Sequence, residues 1–321
     1  MKTRAYTLRD LHPQNASLRD EVLAGLGKPR KSLPPKLFYD SRGSELFELI
    51  CRLPEYYPTR TEMQIMRDAA SDMATRIGER SVLVEYGSGS GLKTRVLLEA
   101  LQPVAYVPID ISAEQLTRAA AEVAESFPGT QVIAVCADYT QPLHLPALDG
   151  MEARRRAVYF SGSTIGNFTP QDAVSFLRRA HALVRAGGAM LVGVDLKKDP
   201  ALLHAAYNDA QGVTAAFNLN VLQRLNRELG ADFEVSAFEH NAFYNADAGR
   251  IEMHLVSTRE QDVTVAGRRF HFDAGETIHT ENSYKYAIDE FQALVRQAGF
   301  SAQHCWTDAE QRFSVHYLVA E

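Results

Sequence analysis

A doubly wound α/β sheet with a smaller inserted α+β lobe is the fold predicted by three observations on this sequence. Five short apolar runs alternate with helical patterns through the middle of the chain. Near-continuous runs such as Met190-Leu191-Val192-Gly193-Val194 suit strands covered on both faces, as in a parallel sheet. Beyond residue 230 the pattern switches to period-two alternation, the mark of a separate antiparallel piece.

In chain order, two short amphipathic patterns at 18–26 and 46–53 flank a loop at 31–43. Strands of the alternating core are expected at 81–86, 104–109, 131–136, 156–161 and 189–195. Ser112 with Gln115 has the spacing of a capping box, and Thr169 before Pro170 sets a cap and a first-turn proline. Gly187 and Gly188 close that second helix. A helical stretch over 201–229 follows, then strands at 233–244, 251–257 and 263–272 with turns at Asp247-Ala248-Gly249 and Ala266-Gly267. A helix at 288–297 leads into a terminal hairpin, 302–306 and 312–320. The expected division is a core of 61–196 plus 287–321, and a substrate-binding lobe of 1–60 plus 197–286.

Composition excludes several classes. The 321 residues are 45% hydrophobic and 23% charged with a net charge of −6, an ordinary globular balance without the basic surface that phosphate backbones need. No nucleic-acid partner is therefore expected. No run approaches the roughly 18 consecutive apolar residues of a membrane span, and the N-terminus lacks an apolar leader core. Cys51, Cys136 and Cys305 are odd in number, far apart and free of any C-x-x-C pair, which reads as reduced thiols. The expectation is a cytoplasmic monomer that takes a small-molecule substrate, with no membrane partner and no metal.

The most informative stretch is Val82-Leu83-Val84-Glu85-Tyr86-Gly87-Ser88-Gly89-Ser90-Gly91-Leu92-Lys93-Thr94. An apolar strand ends in an acid and opens into three glycines at alternate positions, where the backbone can approach a ligand closely. The spacing is G-x-G-x-G, not the G-x-G-x-x-G of dinucleotide folds, and Glu85 beside it would repel a pyrophosphate. A cationic or hydroxyl-bearing ligand suits the loop better. Asp110 stands about twenty residues on, where a ribose-binding acid sits in related folds, with a plain helix cap as the alternative. Asp138 and Tyr139 follow the third strand, placed either for an adenine or as ordinary loop residues. Lys93 reads from its position alone as a first-turn helix lysine. Glu85 ends an apolar strand, costly without a partner, and is read as functional.

The glycine loop resembles the first motif of class I S-adenosylmethionine methyltransferases, and the terminal hairpin is the usual end of their Rossmann-like core. Further segments narrow the resemblance: Lys31-Ser32-Leu33-Pro34-Pro35-Lys36-Leu37-Phe38-Tyr39-Asp40, Leu53-Pro54-Glu55-Tyr56-Tyr57-Pro58-Thr59-Arg60-Thr61-Glu62, Gly162-Ser163-Thr164-Ile165-Gly166-Asn167, Gly212-Val213-Thr214-Ala215-Ala216-Phe217-Asn218 and Arg250-Ile251-Glu252-Met253. Together they resemble the L-histidine Nα-methyltransferases of ergothioneine biosynthesis. The resemblance implies trimethylation of the α-amino group of histidine to hercynine, with S-adenosyl-L-methionine as cofactor. It implies cofactor contacts at Gly87, Lys93, Asp110, Asp138 and Tyr139. It places the amino-acid head group against Tyr56, Asn167 and Tyr207, and the imidazole near Glu281 and Ser283. Two departures stand out, the run Ser90-Gly91-Leu92 before Lys93 and a polar Asn282 where an apolar residue is expected.

Residue chemistry bears on the same positions. Alternation puts Glu281 and Ser283 on one strand face, where a carboxylate and a hydroxyl can hold both imidazole nitrogens; a solvated strand face is the alternative. Met253 offers a soft wall or plain core packing. Asn167 can orient the amine, or simply form a turn. Tyr56 and Tyr207 can donate to a carboxylate or only pack, and Tyr39, with Phe47, can wall the methyl-transfer path. Asn167 and Tyr39 are thus the residues closest to catalysis, with no dedicated His or Lys base. Rival readings are a methyltransferase for another amino acid or small amine, a nicotinamide dehydrogenase, and a silent cofactor-binding protein.

Overall fold

The computed structural model describes residues 6–11, 16–89, 91–143, 145 and 152–321. In chain order the first elements are β1 (Tyr6–Asp10), α1 (Ala16–Leu26), α2 (Ser41–Ile50), α3 (Tyr57–Ile77), β2 (Ser81–Tyr86) and α4 (Leu92–Leu101). Next come β3 (Ala105–Asp110), α5 (Ala113–Ser126), β4 (Gln131–Cys136), β5 (Arg155–Phe160), α6 (Pro170–Val184) and β6 (Ala189–Asp195). Then follow α7 (Pro200–Tyr207), α8 (Val213–Leu229), β7 (Phe238–Asn245), β8 (Arg250–Ser257), β9 (Gln261–Val265) and β10 (Arg268–Phe272). The chain closes with β11 (Thr277–Tyr284), α9 (Ile288–Arg296), β12 (Phe300–Thr307) and β13 (Phe313–Ala320). It forms two compact units, one of Met1–His12, Pro58–Lys197 and Lys285–Glu321, the other of Pro13–Tyr57 and Lys198–Tyr284.

The first unit is built on an eight-stranded sheet in the order β1-β4-β3-β2-β5-β6-β13-β12. Six strands are parallel, and β13 runs antiparallel to both β6 and β12. β2, β3 and β6 are buried along their whole length, which is why their sequences read as apolar runs instead of alternating ones. Thr169 caps α6 as expected, its hydroxyl accepting from the Asp172 amide. Ser112 does not: its side chain caps nothing, and its amide donates to Asp110 Oδ1 instead. One assignment is corrected. Residues 6–10 form β1, paired in register with β4, so they belong to this sheet and not to the inserted lobe.

The second unit packs helices on a three-stranded antiparallel sheet, β11-β8-β7, beside the β9–β10 hairpin. The expected helix over 201–229 is two helices. The break falls at 208–212, where Gly212 takes φ +69 and the Asp209 carboxylate accepts from the amides of Val213 and Thr214 at 2.9 and 2.8 Å. That carboxylate caps α8 and starts it afresh. The strand expected from 233 begins only at Phe238, after a 3₁₀ turn at Val235–Ala237. Phe38 stacks on Phe217 with ring centres 4.5 Å apart, anchoring α8 in the core of this unit.

Candidate active site

In the eight-stranded sheet, connections run one way from β2 towards β3 and the other way towards β5, so the loops leaving β2 and β5 open the crevice where ligands bind in such sheets. The loop after β2 carries the three glycines; its Ser90 lies outside the described residues. Gly87, Gly89 and Gly91 take φ of +71, +45 and +67, backbone that side chains rarely adopt. Among the described residues beyond its chain neighbours, a Cβ at Gly89 or Gly91 would meet no atom within 4 Å, so this side of the loop is open.

Around the loop stand the acids expected for a nucleoside. Asp110 ends β3, and its carboxylate accepts from Ser112 N at 2.9 Å and Gly89 N at 3.3 Å. Burial raises its pKa against the pull of these amides. It therefore serves its own turn while abutting the glycine loop. Asp138 is buried after β4 and accepts from both the amide and the hydroxyl of Thr140, at 2.9 and 2.5 Å. Tyr139 packs beside it against Tyr86 and Phe160, its ring 3.8 Å from where a Cβ on Gly87 would stand. Burial pushes its phenol well above the usual range, so the ring enters the site neutral. The residues fit a ribonucleoside ligand.

Glu85 requires a correction. It is buried, and both its carboxylate oxygens are taken from within the protein, by the Thr94 and Tyr106 hydroxyls. Burial lifts its pKa to about 7 against these bonds. The expectation that its cost demands a partner holds, but the partners are internal. Lys93 likewise has a protein partner, the fully buried Glu62 of α3, 2.5 Å away. Glu62 ends one of the family-like segments, but sequence spacing does not show its pairing with Lys93, because only the tertiary fold brings α3 to the first turn of α4. Asn167 ends the 3₁₀ turn Thr164–Asn167 after β5, a turn entered through left-handed Gly162 and Ser163.

In the second unit, Tyr39, Tyr56, Tyr207, Met253 and Glu281 line one small cavity. Its aromatic wall is set edge to face: Tyr39 to Phe47 at 5.8 Å, Phe47 to Tyr56 at 6.4 Å, and Tyr56 to Tyr207 at 6.3 Å. Tyr207 closes α7 and donates from its hydroxyl to Ser283 Oγ at 2.7 Å. Met253 on β8 lies directly across from Glu281 on β11, and Ile251 across from Ser283. A bulge at Thr280 shifts the register between His279 and Glu281, the local device that re-aims a side chain. Burial pushes the Tyr56 phenol far up, with the nearby Glu281 charge adding to it, so Tyr56 is a donor and not a base. The sequence singled out each of these residues, and the structure gathers them in one unit; Gly87, Lys93, Asp110, Asp138, Tyr139 and Asn167 lie in the other.

Asn282 pairs with Glu252, on the strand face opposite Glu281 and Ser283. That face holds Glu252, His254 and His279, whose ligand-type atoms lie within 4.8 Å of one another. The two imidazoles stack 4.7 Å apart with only 13° between their planes, so their in-plane lone pairs do not converge on one centre. Against the upward push of burial, hydrogen bonds from His254, Arg250 and Asn245 hold the Glu252 carboxyl down at about 2. The charge pair on this face is Glu252 with the Arg250 guanidinium, 2.7 Å away.

Fold and loop together define an S-adenosylmethionine-dependent methyltransferase. Residues 18–320 match the family model described as histidine-specific, SAM-dependent methyltransferase, and the chain belongs to that family. A Mycolicibacterium smegmatis protein named Histidine N-alpha-methyltransferase is 44% identical over 309 residues, 94% of this chain and 95% of its own. The Mycobacterium tuberculosis protein of the same name is 43% identical over 305 residues, 93% and 94% of the two chains. A Neurospora crassa protein named Ergothioneine biosynthesis protein 1 is 32% identical over 300 residues, 90% of this chain but 33% of that longer protein.

Proposed function

We propose that this chain methylates the α-amino nitrogen of L-histidine three times, giving Nα,Nα,Nα-trimethylhistidine, the first step of ergothioneine biosynthesis. The observation that carries the reading is that Glu281, Tyr56 and Tyr207 line one cavity. A carboxylate is the natural acceptor for an imidazole N–H, and the bond is charge-assisted. Ser283 supplies a hydroxyl for the second ring nitrogen. Met253 gives the ring a polarisable wall.

Tyr56 and Tyr207 are assigned to the substrate carboxylate, which a neutral phenol can bind without an added charge. Asn167 is assigned to the amine, its carbonyl accepting from N–H and so orienting the lone pair. Tyr39 walls the path. Gly87, Lys93, Asp110, Asp138 and Tyr139 are assigned to the cofactor. S-adenosylmethionine, when bound, supplies a methyl group already activated on a sulfonium. What the protein adds is alignment, worth up to roughly 7–11 kcal/mol in favourable systems. Each of the three transfers needs a lone pair on the nitrogen, so one proton leaves before each, to solvent, since the buried Tyr56 phenol holds its own.

A competition assay tests the substrate assignment. An equimolar mixture of protein amino acids is incubated with labelled S-adenosylmethionine, and the labelled product is identified. Histidine should win over tryptophan and tyrosine by about 100-fold or more, because only imidazole offers a ring nitrogen to each of Glu281 and Ser283, whereas indole has one and phenol none, leaving a polar group unpaired. Comparable labelling of an aromatic competitor rejects the assignment.

A further inference from the structure

Glu62 is completely buried, and none of the ligand assignments above uses it. Its Oε2 accepts from Lys93 Nζ at 2.5 Å and from the Gly162 amide at 2.9 Å. Its Oε1 lies 3.5 Å from the Tyr159 hydroxyl. Gly193 on β6 backs the group: a Cβ there would stand 2.3 Å from Oε1. A glycine inside a buried strand forfeits packing, and here its missing side chain is the space the carboxylate occupies.

These contacts join two places that the sheet topology sets side by side. Lys93 stands in the first turn of α4, immediately beyond the glycine loop. A cation there opposes the positive end of the helix, so its placement needs a counter-charge. Gly162, with φ +74, opens the turn that ends in Asn167. A buried carboxylate held by one lysine and one amide has little freedom, because losing either contact strands a charge in the interior.

We propose that Glu62 is a positioning residue: one carboxylate fixes the loop entering α4 and the turn leaving β5 relative to each other. It acts through Lys93 and Gly162. What those two loops hold rests on the proposed function, but the coupling itself does not.

The test uses the full-length protein and Glu62→Gln, which keeps the shape and removes the charge. S-adenosylhomocysteine affinity should fall about tenfold or more and kcat by a similar factor, while the KM for histidine changes less than about threefold; adding Lys93→Met to Glu62→Gln should cost far less than Lys93→Met alone. A merely structural role lowers the melting temperature but leaves the affinity of the folded protein and the additivity intact. Gly193→Ala, which pushes on the carboxylate from behind, should mimic the affinity loss. Should neither variant fold, amide exchange of the wild-type protein decides: Gly162 N–H is protected without ligand if Glu62 holds it, and exchanges freely if not. A folded Glu62→Gln that binds S-adenosylhomocysteine within about twofold of wild type, with additive double-mutant effects, overturns the proposal. Wild-type protein that binds S-adenosylhomocysteine but leaves histidine unmethylated would instead count against the proposed substrate, and the affinity and exchange readouts would still judge Glu62.

Discussion

Replacing Glu281 with alanine should weaken histidine binding by roughly 100-fold while S-adenosylhomocysteine affinity stays within about twofold, since a hydrogen bond to a charged group is worth about 1.5–3 kcal/mol. The loss is expected near the top of that range. Glu281 lines an aromatic cavity, so an imidazole left without its acceptor there has little water to turn to. The selectivity expected between the two ligands reflects their assignment to different residues, Glu281 to the imidazole and the glycine loop to the cofactor. Asp110→Ala is the reciprocal control. Its carboxylate abuts Gly89, so cofactor affinity should collapse and the Kd for histidine should change little. Calorimetric titration of each ligand into each variant checks both. Equal losses for the two ligands in Glu281→Ala would reject the imidazole assignment.

Lys285→Met should be the most destabilising of the simple substitutions, by about 3–5 kcal/mol, the cost of breaking a buried pair by removing one partner. Lys285 and Asp195 meet at 2.7 Å with side chains only 1% exposed each. They sit where the chain leaves β6 and where it re-enters the first unit after β11. The backbone around them is cross-linked too: Tyr286 N donates to Asp195 O, and Lys197 N to Tyr286 O. Asp195 N also donates to Ser163 Oγ at 2.9 Å, tying the pair to the turn that carries Asn167. The urea midpoint should fall accordingly in Lys285→Met, and the double variant Asp195→Leu/Lys285→Met should recover most of the loss, because a well-packed apolar pair leaves no stranded charge. A single variant within about 1 kcal/mol of wild type would mean that the pair bears little of the load.

Much of this was legible from residue order, and the exceptions have physical causes. Parallel strands covered on both faces must be apolar throughout, so β2 to β6 announce themselves, and the three glycines mark the ligand loop because no other residue takes that backbone readily. β1 is different. It is a half-exposed edge strand, Tyr6-Thr7-Leu8-Arg9-Asp10, whose charged outer residues hide it among loops. The break between α7 and α8 escaped because Asp209 reads as an interior polar residue until its carboxylate is seen capping the next helix. Glu85 and Glu62 show the wider limit. Burial of a carboxylate can be inferred from its apolar neighbours, but whether its partner is a ligand or another residue depends on contacts such as Tyr106 and Lys93 that sequence spacing does not encode. The pocket residues Tyr56, Tyr207, Glu281 and Ser283 came from family motifs, and residue chemistry alone left each of them open to a packing role.

Mass spectrometry of histidine incubated with the purified protein and S-adenosylmethionine tests the central claim most directly. Successive gains of one, two and three methyl groups are expected, all on the α-nitrogen and ending in the trimethyl product. Histidine recovered unmodified, or methylated on its ring, from protein that demonstrably binds the cofactor would contradict it.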